Sequence, residues 1–76
     1  MVKVDSFVKL YTLIAFNNSD KYGYELIKEL SNKLNRKISA SHIYPFLKEL
    51  KQNYLVNSRL VGRGKIYKLT DSGKKF

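Results

Sequence analysis

Arg59, Arg63, Lys65 and Lys68 lie within ten residues of one another, with no acid between Glu49 and Asp71. Cations at that density suit a polyanionic partner, a nucleic acid or an anionic membrane surface, and otherwise make a solubilising charged edge that blocks strand pairing. Arg63 is flanked by Gly62 and Gly64, which let a backbone turn tightly and leave the guanidinium projecting at the tip. Such a tip can enter a minor groove, where the potential is most negative, or lie along phosphates. A second set consists of Ser41, Tyr44, Lys48 and Gln52, spaced to share one side of a helix. These side chains donate or accept hydrogen bonds at base edges or phosphates. Pro45 and His42 stand beside them and Ser39 just before them. Arg36, Lys37 and Lys51 are further cations suited to a nucleic-acid backbone.

Catalysis finds no support in the same residues. The 76-residue chain has no Cys and one His, which removes disulfides, thiolate metal sites, Cys nucleophiles and a His-built zinc site. Gly62-Arg63-Gly64-Lys65 is not a phosphate-binding P-loop, which needs four residues between its glycines and Ser or Thr after Lys; here Ile66 follows. No nucleophile stands with a base, and no carboxylates are paired for acid–base work. A non-enzyme without cofactor or metal is expected. The length allows one domain, residues 1–76, with a core too small for a deep cleft.

Of the net charge of +9, +8 belongs to residues 36–76, where ten bases face Glu49 and Asp71. A folded chain that concentrates charge in this way repels itself, and a polyanionic partner relieves the repulsion. With charges mixed into its first residues, the sequence has no apolar run long enough for a signal peptide or a membrane span. The expected location is the cytoplasm, on DNA.

The positioning elements follow from periodicity. A first helix is predicted over 6–16, capped by Asp5 or Ser6, with Phe7, Leu10, Tyr11, Ile14 and Ala15 on its buried face and Leu13 and Phe16 off it. A turn over 17–20 leads to a second helix over 22–34, striped by Tyr22, Leu26, Leu30 and Leu34. Gly23 in that stripe implies close approach of a neighbour. Ser39 caps a third helix over 40–53, with Ile43, Phe46, Leu47 and Leu50 inward and Ser41, Tyr44, Pro45, Lys48 and Gln52 outward. Two β-rich runs within 55–70, joined by Gly62-Arg63-Gly64, read as a hairpin. Tyr67 and Leu69 share one of its faces, Ile66 and Lys68 the other. Residues 71–76 form a tail. Spacing puts Tyr22, Tyr54 and Tyr67 in or beside the core and Tyr24 and Tyr44 outside. The fold class is α+β, mainly α: three helices followed by a two-stranded β wing, a winged helix-turn-helix.

Three stretches carry a family resemblance: Tyr22-Gly23-Tyr24-Glu25-Leu26, Ile43-Tyr44-Pro45-Phe46-Leu47-Lys48-Glu49-Leu50, and Gly62-Arg63-Gly64-Lys65-Ile66-Tyr67-Lys68-Leu69-Thr70-Asp71-Ser72-Gly73. In them the chain resembles the PadR-type winged helix-turn-helix transcription regulators over about residues 7–76. The resemblance implies sequence-specific binding of double-stranded DNA, with the third helix in the major groove and the wing on the flanking minor groove. It carries over to Ser41, Tyr44, Pro45, Lys48, Arg63 and Lys65. The family continues into a C-terminal dimerisation helix that these 76 residues do not include, so a monomer or weak homodimer is expected. Length and residue usage resemble small regulators of archaeal viruses or plasmids. The alternative reading is a winged-helix protein–protein interaction module of a transcription or replication assembly.

Overall fold

The stripe of the third helix packs as its spacing requires. A computed structural model describes residues 6–75, and in it Ile43, Phe46, Leu47 and Leu50 are buried along α3 (Ala40–Gln52). They meet Leu26 and Leu30 of α2 (Gly23–Leu34), with Leu34 and Ile27 partly buried at the margin. Full burial of each such side chain stabilises by about 1.5–3 kcal/mol.

Helix α1 (Ser6–Asn18) corrects the expectation for its buried face. Val8, Thr12, Ala15 and Phe16 point inward, Leu13 packs at the edge, and Phe7 is 65% exposed with Leu10 and Ile14 also exposed. Apolar residues occupy nearly every side of this helix, so spacing alone does not select a face. The ring of Phe16, which meets Tyr67 at 6.3 Å between centroids, joins α1 to the sheet. Asp5 and Phe76, named as cap and tail, lie outside the described residues. Thr12 Oγ1 is buried with no hydrogen-bond partner among the described residues. Thr12→Val keeps the shape and removes that polar atom, so it is expected to stabilise by about 1 kcal/mol. A rise in Tm of roughly 4–8 °C by thermal melting checks it.

The sheet holds three strands rather than the two of the wing alone. β1 (Lys21–Tyr22), β2 (Val56–Val61) and β3 (Gly64–Leu69) lie in the order β1-β3-β2, all antiparallel. β1 occupies the chain between α1 and α2, so Tyr22 precedes the second helix instead of starting it. Its backbone N–H donates to Glu25 Oε1 at 2.8 Å, half of a capping box. A two-residue strand is too short to show alternation, which is why sequence periodicity does not reveal it. Lys21 is buried beside it, where Nζ donates to Ser19 Oγ at 2.8 Å and lies 3.7 Å from Glu29.

A fourth helix, α4 (Asp71–Lys75), adds to the three expected. Thr70 joins it to the end of α3: its Oγ1 donates to the Tyr54 carbonyl at 2.5 Å and accepts the Gly73 N–H at 3.0 Å, while its own N–H donates to the Leu55 carbonyl at 3.0 Å. Tyr54 departs from its expected core position. It is 77% exposed at φ +61°. There its N–H donates to the Lys51 carbonyl and that of Leu55 to the Leu50 carbonyl, the paired bonds that close a helix through a left-handed residue.

Candidate nucleic-acid interface

Pairing of β2 with β3 decides which wing cations meet α3. Residues directly opposite on antiparallel strands share a face. Ser58 opposes Tyr67 and Leu60 opposes Lys65, whereas Arg59 opposes Ile66 and Asn57 opposes Lys68. Tyr67 is buried toward α3, and Lys65 follows it. An open cavity of about 670 Å³ results, walled by Tyr44, Lys48, Lys51 and Gln52 from α3 and by Ser58, Lys65 and Tyr67 from the wing. Arg59 and Lys68 stand on the opposite face of the hairpin, around a recess that also contains Asp20 and Asn57. The four wing cations therefore do not form one cluster: Lys65 joins the helix, while Arg59 and Lys68 face away from it.

The tip departs in detail from the expected three-residue turn. Gly64 pairs with Val61 inside the ladder, leaving Gly62 and Arg63 as the turn. Gly62 has φ +62°, the conformation a two-residue turn needs at its first central position. Gly64 meets a different demand, since a Cβ there would stand 3.0 Å from the Tyr22 ring. That ring stacks on Tyr24 at 5.3 Å between centroids and donates its hydroxyl to the Val61 carbonyl at 3.4 Å. Tyr22, Gly23, Tyr24 and Tyr44 thus face Arg63 and Lys65 across a second open cavity of about 580 Å³. Tyr44 borders both cavities and is 43% exposed.

On α3, Ser39 is the N-cap: its Oγ accepts the Ser41 N–H at 3.2 Å, and the two hydroxyls are 2.6 Å apart. Pro45 is exposed on the same helix and has no N–H to give the Ser41 carbonyl. His42 and Lys48 are exposed, Lys48 toward the wing. Lys51 is less free than a simple backbone contact requires, because Nζ donates to Ser58 Oγ at 3.0 Å and ties α3 to β2. Arg36 and Lys37 are exposed in the connector just before Ser39. Two features escaped sequence reasoning. Leu60, 75% exposed on the same wing face as Lys65, is apolar in a basic hairpin and carries no motif. Tyr22 joins the site through β1, for which strand register is the only signal.

Burial raises the pKa of Tyr67 above the usual phenol value, and neighbouring Tyr44 raises it further. A raised native pKa means that the folded chain holds this proton more tightly than the unfolded chain does. The stability from neutral Tyr67 is therefore complete below the unfolded value of about 10 and is lost as pH rises through the native one. Chemical denaturation from pH 7 to 11 should show a decline above about pH 10 that is smaller in Tyr67→Phe.

Four helices, two of them a helix-turn-helix pair, and a basic hairpin with a third strand define the winged-helix class of regulator. The Transcriptional regulator PadR-like family matches residues 10–76. The chain belongs to the PadR-like family, whose members are regulators rather than enzymes. Among solved structures, RosR of H. salinarum is 26% identical with a TM-score of 0.82, over 93% of this chain and 64% of its own. The candidate transcriptional regulator TA0346 of Thermoplasma acidophilum is 32% identical, with a TM-score of 0.82, over 92% of this chain and 70% of its own. F93 from STIV, a winged-helix DNA-binding protein, is 25% identical with a TM-score of 0.76, over 91% of this chain and 74% of its own. The chain spans 62–65% of the length of the RosR chains it matches. No curated protein sequence matches it. These likenesses do not support the viral or plasmid source suggested by length and residue usage. Among the described residues no helix is long and apolar enough to cross a membrane.

Proposed function

We propose that this chain is a sequence-specific double-stranded DNA-binding regulator of transcription, with α3 in the major groove and the wing on the flanking minor groove. The observation that carries the reading is the shared wall of Lys48, Gln52 and Tyr44 from α3 and Lys65 from β3. Cations and hydrogen-bonding side chains there converge from two elements on one open concave surface. A wing in the minor groove has phosphates on both sides, so Lys65 faces one strand while Arg59 and Lys68 face the other. Arg63 at the tip enters between them. Ser41, Tyr44 and Gln52 read base edges, His42 and Pro45 flank them, and Arg36, Lys37 and Lys51 lie near phosphates.

Selection of bound sequences from a random duplex pool tests the proposal. It should return a short shared site; recovery of no preferred sequence contradicts it. On the selected duplex, Arg63→Ala is expected to weaken binding to all sequences alike by about 8-fold near 0.1 M salt, the counterion contribution of one phosphate. Ser41→Ala and Tyr44→Phe should instead reduce the preference for the selected site over a scrambled one. Gel-shift titration of both duplexes separates the two effects.

A further inference from the structure

We infer that Gly23, which touches no DNA in this reading, is a positioning residue that sets where Tyr44 meets the bases. The inference rests on the proposed function and deepens it. Gly23 is the first residue of α2 and is buried. A Cβ built on it would stand 2.6 Å from Tyr44 Cε1, 2.9 Å from its Oη and 3.0 Å from its Cζ. All three lie well inside van der Waals contact, so the phenol lies directly on the bare backbone of the α2 terminus. Tyr44 also borders both open cavities together with Tyr67 of β3. The ring lies against the helix end and beside the strand, and it remains part exposed.

Propensity provides the contrast. Gly is a poor helix former, and Ala at an unobstructed position would be at least as stable. Here the obstruction is the outer end of one side chain, not backbone. That end can swing aside, so the chain still folds while Tyr44 loses its place. Gly23 and Tyr44, which belong to different helices, thus act as one device.

The test compares wild type, Gly23→Ala, Tyr44→Ala and the double variant on the selected duplex and on a scrambled one. Gly23→Ala should lower the ratio of the two affinities about 10-fold, the scale of one well-placed base contact. Affinity for the scrambled duplex should stay within about 2-fold, because the phosphate contacts are untouched. In the Tyr44→Ala background, Gly23→Ala should lower the ratio no further, the non-additivity expected of residues in contact. If Gly23→Ala alone unfolds, the double variant should refold, since the obstructing ring is gone. A full ratio in Gly23→Ala, an undiminished effect without Tyr44, or a double variant that stays unfolded overturns the inference alone. A wild-type chain with no preference for any duplex overturns the functional reading as well.

Discussion

Alanine at both Lys48 and Lys65 is expected to weaken duplex binding about 60-fold near 0.1 M salt, or about 2.4 kcal/mol. Each phosphate contact releases close to one counterion, so at that salt each contributes about 0.9 of a decade to the affinity. The two lysines lie on facing elements of one cavity, one from α3 and one from β3, and both are exposed. Removing them leaves the core intact, and the melting temperature should hardly move. The slope of log affinity against log salt should become shallower by about 1.8. Lys28→Ala is the matched control: Lys28 shares its recess with Asp20, Glu25 and Glu29, so its loss should change binding less than about 2-fold. Gel-shift or anisotropy titration at several salt concentrations measures both quantities.

Among the four glycines, Gly73→Ala should be the most destabilising. A Cβ there would run into the Leu55 carbonyl oxygen and stand 2.9 Å from Leu69 Cδ2. A rotamer change could move Leu69, but the carbonyl is backbone and is already held by the Thr70 N–H. Relief therefore requires α4 to lift from the end of α3, which breaks the Thr70 bonds to Tyr54 and Gly73. Overpacking against backbone, with loss of these exposed and part-buried hydrogen bonds, costs about 2–4 kcal/mol, a large part of the stability of a domain this small. The melting temperature should fall by roughly 10–25 °C. Ser72→Ala, one residue away and exposed, should change it by less than about 3 °C.

Those contacts also explain which parts of the site could be read in advance. Tyr67, Leu69, Thr70 and Gly73 are spaced as a motif because each has a structural role. The first two are buried side chains, Thr70 is a clamp, and Gly73 permits a close approach. Likewise Gly23 and Tyr44 fall in separate motifs but meet in one contact. The stripe of α3 was legible because its apolar residues fall on one side and its polar residues on the other. That of α1 was not, since Phe7, Leu10 and Ile14 are as apolar as Val8 and Phe16, and a buried Thr12 disguises the inner face. Composition placed four cations on the wing. Only the register shows that Lys65 turns toward α3 while Arg59 and Lys68 turn away. Tyr54 read as core or core edge because its spacing continues the buried stripe of α3. Its left-handed backbone, which closes α3, sends the ring outward instead.

The central claim, that α3 and the wing bind duplex DNA as one cationic surface, is tested most directly by the salt dependence of wild-type binding to the selected duplex. The account predicts a linear fall of log affinity with log salt, with a slope of about −4.5 to −6.3 for about five to seven neutralised phosphates. It also predicts tighter binding to the selected site than to a scrambled one at every salt concentration. A slope near zero, or no duplex binding at about 50 mM salt, would contradict it.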